Sequence, residues 1–331
     1  LVSNKKVLIF LNAMVRHLEE RTERKQHKRK KQRKKKRFRK LLLFFLILVI
    51  AAGAYVYYQY QQGLAEADGA FGKDGQFDFN GASANLDSMN VLLLGIDSRG
   101  EEHSRADTIM IAHYDKDSNQ PKIVSLMRDS YVDIPGHGKN KLNSAYAFGG
   151  PELMRKTIKE NFGIDVNYYA VVDFKGFSKV ADTIAPEGIT VTVPHEMSSG
   201  IGMTLKPGKQ TLHGDKLLGY VRFRHDSQSD FGRVKRQQEV IGKLMDEALQ
   251  VKTLAKAPKL WGVIDPYVDT NIPPKTFIVI GKDFLVGNQP DLKSLRLPVE
   301  GSYSNERISG IGAVLSIDLE ENKQALQSFL N

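Results

Sequence analysis

Cysteine is absent from all 331 residues, which removes disulfide frameworks, thiolate metal sites and cysteine nucleophiles at once. Carboxylates, histidines, hydroxyls and arginines are left to carry any chemistry. No internal repeat is visible, so the chain does not read as a solenoid or array. Acids are nearly missing from Arg21 to Lys40, where 14 basic residues stand against Glu23 alone, and charge of either sign is missing from the 18 positions Leu41 to Tyr58, LLLFFLILVIAAGAYVYY. A basic surplus is missing from everything that follows. Residues 1–40 hold 17 Lys and Arg against 3 acids and residues 41–331 hold 31 against 35, so the net charge of +10 belongs to a tail. That location argues against a nucleic-acid-binding domain, and no nucleic-acid partner is expected.

What is present begins with that tail, residues 1–40, whose self-repulsion predicts a disordered or loosely helical segment. Residues 1–13 open without methionine, their apolar run VLIFL is too short to span, and Met14 is a more natural start, so they are expected to lie outside the mature protein. Residues 41–60 have the length and composition of a transmembrane signal-anchor helix. Its basic N-terminal flank places that side in the cytoplasm. Tyr55, Tyr57, Tyr58 and Tyr60 suit the outer interface, which makes the C-terminal domain extracellular. Ala52-Gly53-Ala54 resembles a signal-peptidase site, but the uncharged run continues past it and favours a retained anchor. Juxtamembrane polybasic runs attract anionic membrane lipids at about 1 kcal/mol per residue, which accounts for the tail.

Residues 61–89, poor in large apolar groups, read as an extracellular stalk or a pairing hairpin, residues 90–250 as a domain core, and 251–331 as the completion of that domain. Apolar runs predict strands at 91–94, 108–114, 122–127, 168–174, 189–193 and 295–299. Helical spacing and punctuation predict helices at 151–162, 215–220, 233–249 and 320–330, the third burying Ile241, Leu244, Met245 and Ala248. Strands interleaved with helices give an α/β (α+β) fold, a single domain whose mixed central sheet is flanked by helices.

Charged residues gather at the ends of these elements. Asp97 and Arg99 follow the first strand, Arg105 and Asp107 precede the second, and Arg128 and Asp129 follow the third, where ligands of open α/β sheets sit. In VRFRH, Arg222 and Arg224 share one face if the segment is extended, with Val221 and Phe223 on the other. Arg233, Arg236 and Gln237 lie in line with core-facing Ile241 at the start of the long helix, whose N-terminus favours phosphate. Several uncompensated arginine forks in one pocket call for a polyanion, and pyrophosphate is the smallest that uses them all. Asp97 and Asp107 then suit a hard cation, Mg²⁺ or Mn²⁺, shared with phosphate oxygens. Asp97, Asp107 and Asp230 are each candidates for general base, and spacing does not choose among them. His137 and His225 beside turns read as solvated, and the lone Trp261 as core.

The segments VLLLGIDSR, SRADTIMI, VSLMRDSYVDIPG, KLNSAYAFGGPELMRKTI, YYAVVDF and YVRFRHDSQSDFGRVKRQQ together resemble the LytR-CpsA-Psr proteins of Gram-positive cell-wall assembly, especially the branch named for a methicillin-resistance-associated regulator. The resemblance covers roughly residues 90–250 together with the basic tail and single span. It implies a hydrophobic cleft holding a polyprenyl chain, with the pyrophosphate at its mouth. It also implies a Mg-dependent phosphotransferase that moves a glycopolymer, wall teichoic acid or capsule, from a polyprenyl-pyrophosphate carrier onto peptidoglycan N-acetylmuramic acid, with pyrophosphatase as a side activity. Carried onto this chain, Asp97 and Asp107 would hold the metal, Arg105, Arg128, Arg222, Arg224, Arg233 and Gln237 would bind the pyrophosphate, and Arg128 would be needed for turnover. Ala185-Pro186-Glu187-Gly188 and Ser229 stand where the family usually has Gly-Gly and Gly. A membrane-bound regulator of cell-envelope gene expression is a second reading that the family's older names suggest, although the tail has no helix-turn-helix pattern, and a non-catalytic lipid-pyrophosphate binding protein is a third.

Overall fold

The computed structural model describes residues 2–67, 77–83, 87–97, 105–118, 120–226, 229–250, 256–273 and 291–331, with Thr253 and Thr276. The chain divides into two compact units, Leu1–Tyr58 and Gln59–Asn331. Helix α1, Val2–Glu66, runs through the basic tail, where disorder or loose helix is expected. Lys and Arg are good helix formers, and an adjoining apolar helix can propagate without a new nucleus, which is why charge repulsion does not melt it. Lys35–Glu66 is long and apolar enough to cross a membrane, with none of its most apolar window buried. Side chains from Leu41 to Ile50 are 51–68% exposed, a surface that only lipid or another apolar partner would cover.

The second unit is built on the expected mixed sheet. Strands β1 (Ser88–Ile96), β2 (Ala106–Asp115), β3 (Lys122–Leu126), β6 (Tyr168–Asp173), β9 (Val268–Thr270) and β10 (Lys293–Leu297) lie in the order β10-β3-β2-β1-β6-β9. β1 pairs antiparallel with β2 and parallel with β6, while β3 pairs antiparallel with β2 and parallel with β10. A smaller sheet, β11-β12-β4-β5, joins Ser130–Ile134 (β4) and Gly138–Lys141 (β5) to Tyr303–Ile308 (β11) and Gly312–Ile317 (β12). Ile189–Val193 (β7) and Gly208–Leu212 (β8) form a separate hairpin.

One face of the large sheet is closed. Leu92, Leu94, Ile96, Tyr169 and Val171 pack there against α2 (Ser144–Phe162) and α7 (Leu319–Leu330) through Met154, Ile158, Phe162 and Leu326. α2 breaks at Gly149-Gly150 and restarts at Pro151; Gly150 has φ 59°, and the Phe77 ring lies where a Cβ would stand. A second apolar cluster joins α3 (Phe174–Ile184), the β7–β8 hairpin and α4 (Gly214–Arg222) through Ala181, Val191, Leu212, Leu217 and Phe223.

The other face of the large sheet carries α5, Ser229–Ala248, which is tied down at its middle and just past its end. Gln237 and Gln238 bond Thr108 and Ser125, and Leu249, just past the helix, packs with Met89, Tyr114 and Tyr168. Between these ties Val91, Leu93, Ala112, Ala170 and Val172 of the sheet and Ile241, Leu244, Met245 and Ala248 of the helix are only half-buried. The helical residues expected in the core are therefore only partly covered, and Leu244 packs against the cluster of α3, α4 and the β7–β8 hairpin.

The expected stalk is not free where it is described. The end of α1 crosses α6 (Ala257–Ile264) through Gly63 and Gly262, where an added Cβ at Gly63 would stand 2.9 Å from Gly262 Cα. Tyr60 donates to Asp265 (3.1 Å) and Lys259 pairs with Glu66 (2.6 Å) on either side of that crossing. Phe77 and Phe79 pack on Tyr169, and the Ala82 N–H donates to the Val166 carbonyl. Trp261, expected in the core, is half-buried on α6.

Candidate functional site

The ends of β1 and β3 and the start of β2 lie at one edge of the large sheet, because β2 runs opposite to both neighbours. At that edge the register slips. Gly95 pairs with Thr108 and Ile96 with Ala106, so Asp107 is the extra residue of a bulge and Asp97 follows directly beside it. The N-terminal turn of α5 and the end of α4 reach the same place. Gln237 donates to Thr108 Oγ1 (2.9 Å), next to Asp107, and Arg222 lies 3.8 Å from Asp97.

Arg128 is the centre of this group. Its guanidinium bonds Asp107, and its Nε lies 3.3 Å from Asp230 and 3.4 Å from Asp129. Burial opposes its charge, but the three carboxylates outweigh burial and raise its pKa. Asp129 is half-buried, which opposes its charge, yet a hydrogen bond from Lys141 (2.9 Å) and the nearby charges of Arg128 and Lys141 hold its carboxyl below the usual range. Asp230 takes Arg233 at 3.2 Å and Arg224 at 3.7 Å as well. Arg233, 4% exposed, is pushed down to about 10 by burial that Asp230 only partly offsets. Its Nε has no hydrogen-bond partner among the described residues.

Arg128, Arg222, Arg224, Arg233 and Gln237 thus come together with Asp97 and Asp107. The arginines are not uncompensated, however. Five cations, counting Lys141, face Asp97, Asp107, Asp129 and Asp230, because buried guanidinium groups need carboxylate partners to be stable without ligand. Arg236, expected among the phosphate ligands, is turned away from the group. It donates to the carbonyls of Tyr220 (3.1 Å) and Phe223 and pairs with buried Asp226 at 2.8 Å, so it holds the segment that carries Arg222 and Arg224. That segment is not a strand. Arg222 ends α4, and yet Val221 and Phe223 are buried as the alternation requires. Arg105 is exposed just before β2, and Arg99 lies outside the described residues.

Asp97 and Asp107 are 19% and 22% exposed, so both carboxylates reach solvent beside the bulge. Among the described residues no three His, Asp or Glu form a cluster, which does not suit a closed metal cage. Two oxygen donors open to water fit Mg²⁺, which completes its shell with water and phosphate.

Lys141, Thr108 and Phe174 belong to the site without having been singled out from sequence. Lys141 arrives by β4–β5 pairing opposite Tyr131, and the Phe174 ring lies 3.9 Å beneath the Arg222 guanidinium. His137 is exposed and stacks on Phe148 at 4.6 Å, and His225 lies 6.1 Å from the Phe223 ring.

Residues 54–328 match the model of the LytR_cpsA_psr family. Regulatory protein MsrR of Staphylococcus aureus (strain COL) is 44% identical over 278 residues, 84% of this chain and 85% of that protein. The polyisoprenyl-teichoic acid–peptidoglycan teichoic acid transferase TagU of Oceanobacillus iheyensis is 30% identical over 257 residues, 76% of this chain and 78% of its own. Among solved structures, TagT bound to LIIa-WTA superposes with a TM-score of 0.60 at 26% identity, over 80% of this chain and 99% of that one.

Proposed function

The chain belongs to the LytR-CpsA-Psr family, and on that footing we propose that it transfers a phosphorylated glycan, wall teichoic acid, capsule or similar, from a polyprenyl-pyrophosphate carrier to peptidoglycan N-acetylmuramic acid. The observation that carries this reading is the junction of two surfaces. A cluster of arginine and aspartate from β1, β2, β3, α4 and α5 stands one helical turn of α5 from the half-buried apolar side chains that begin at Ile241. One carrier has both an apolar chain and a pyrophosphate, and the paired surfaces suit it.

In the proposed reaction the acceptor hydroxyl attacks the phosphorus that bears the glycan. A phosphorus–oxygen bond to the acceptor forms as the hydroxyl gives its proton to a base, for which Asp97, Asp107 and Asp230 are the candidates, the bond to the bridging oxygen breaks, and polyprenyl phosphate leaves. Arg222, Arg224, Arg233 and Gln237 would orient the two phosphates, and Arg128 would stabilise the charge that moves to the leaving oxygen. Mg²⁺ held by Asp97 and Asp107 would supply further charge neutralisation when bound. Half-buried Val91, Leu93, Ile241 and Met245 would accommodate the first isoprene units. The basic flank of the span suits a cytoplasmic N-terminus lying on anionic lipid, with the transferase domain outside.

A regulatory role is the second reading, favoured by the name that the 44% identical staphylococcal relative carries. Turnover separates the two. The full-length protein in micelles, given a polyprenyl-pyrophosphate glycan, Mg²⁺ and a peptidoglycan acceptor, should release polyprenyl phosphate and label the acceptor, and Arg128→Ala should abolish both. No transfer, with the variant indistinguishable from the parent, sinks the enzymatic reading.

A further inference from the structure

On the reading that this centre receives a pyrophosphate, we propose that Asp230 is a built-in stand-in for the ligand, a carboxylate that occupies the arginines until an incoming phosphate displaces it. Three guanidinium groups from three separate elements converge on its two oxygens. Arg128 follows β3, Arg224 follows α4, and Arg233 lies in α5, one turn beyond Asp230 itself. A carboxylate has one charge and about four lone-pair sites, fewer than three five-donor forks present. One donor is left over: Arg233 Nε is buried and unpartnered among the described residues. Pyrophosphate, with more charge and more acceptor oxygens, satisfies the same forks more fully.

The position of Asp230 fits displacement. It occupies the first turn of α5, a 20-residue helix whose free N–H groups and dipole attract an anion, so carboxylate and phosphate compete for one place. Its side chain is more enclosed than those of Asp97, Asp107 and Asp129, 16% exposed against 19–23%, yet it still reaches water, into which it can turn once an anion takes the arginines. Ser229, immediately before it, has φ 47°, a left-handed conformation rare for a side-chain-bearing residue. By contrast Asp226, which pairs with Arg236, is only 7% exposed and has no such exit.

An orienting anchor and a displaceable stand-in predict opposite signs for Asp230→Asn. If Asp230 only holds the arginines in place, its loss weakens anion binding. As a stand-in, its loss removes a competitor. The full-length protein in detergent micelles is titrated calorimetrically with inorganic pyrophosphate, with and without Mg²⁺. D230N should bind about tenfold more tightly than the parent, about 1.4 kcal/mol. Asp133→Asn, which removes the same charge from an exposed site on β4, should shift affinity less than about twofold. Equal or weaker binding by D230N overturns the proposal.

If D230N does not fold, the parent labelled with ¹³C at aspartate side chains tests the same displacement. Saturating pyrophosphate should move the Asp230 carboxyl resonance toward that of a solvated carboxylate, and an unmoved resonance overturns the proposal. Failure of both parent and variant to bind pyrophosphate overturns this inference together with the functional reading. Binding by the parent without a gain in D230N overturns this inference alone.

Discussion

Replacing Arg236 by Met should destabilise the fold far more than it disturbs the anion site. The guanidinium and its partner Asp226 are only 9% and 7% exposed, and it also holds the carbonyls of Tyr220 and Phe223. Methionine fills much of the volume but leaves a buried carboxylate unpaired, which costs about 3–5 kcal/mol. The stranded carbonyls add to this, although not additively, since water can enter beside them. A total of about 4 kcal/mol lowers the melting temperature of a domain this size by roughly 10 °C. Circular dichroism melts of parent and R236M measure it directly. The double variant R236M/D226N should recover about 1–2 kcal/mol, because the stranded charge is gone. Pyrophosphate affinity should fall only indirectly, through loosening of the loop bearing Arg222 and Arg224. A variant that melts within about 2 °C of the parent yet has lost pyrophosphate binding would refute the reasoning and return Arg236 to the ligand shell.

Ser229→Gly should stabilise the protein, since relief of a left-handed residue (φ 47°) is worth about 1–2 kcal/mol and the added freedom of the unfolded glycine takes back about 0.4–1; a lower denaturation midpoint contradicts this. Gly63→Leu should force the end of α1 off α6, costing about 1–3 kcal/mol and speeding proteolysis between residues 59 and 76, and unchanged digestion would show that the glycine crossing is not close-packed. Glu152 is held down to about 2, chiefly by its hydrogen bond from Arg155, against opposition from burial and with help from the Asn80 N–H. Its folded pKa lies below the ordinary value of 4.5, so its contribution is present above pH 4.5 and disappears as pH falls toward 2. Melts of Glu152→Gln should therefore converge on those of the parent across that window, and a constant gap from pH 2 to 7 contradicts the assignment.

The large sheet and its helices were legible because their signals are local. Val91–Leu94 is an uninterrupted apolar run, and Pro151 and Gly163 punctuate one helix from both ends. The smaller sheet was not, since β4, β5, β11 and β12 are short, mostly polar on one side, and its two hairpins are joined only by β12 and β4, which pair across 185 residues of chain (Leu315 with Ser130). The span from Leu41 to Tyr58 was readable from composition alone, while the helical state of the basic tail was not, because charge density argues for disorder and neighbouring helix argues against it.

For the site, residue type and position at strand ends were enough to name most of the arginines and aspartates. Direction was beyond reach at a single helical turn. Arg233 and Arg236 are three residues apart on one face, yet one enters the cluster and the other is captured by Asp226 and two carbonyls of the preceding segment. Compensation was equally hidden, because Lys141 reaches Asp129 through a hairpin register and Asp230 reaches Arg128 across 102 residues. Charge type, anchor and family were thus determined by the sequence, where each depends on local composition or on motifs. Which cation faces which anion, and which donor is left for a ligand, was decided only in three dimensions, since buried charge is governed by distances of about 3–4 Å between segments that the chain keeps far apart.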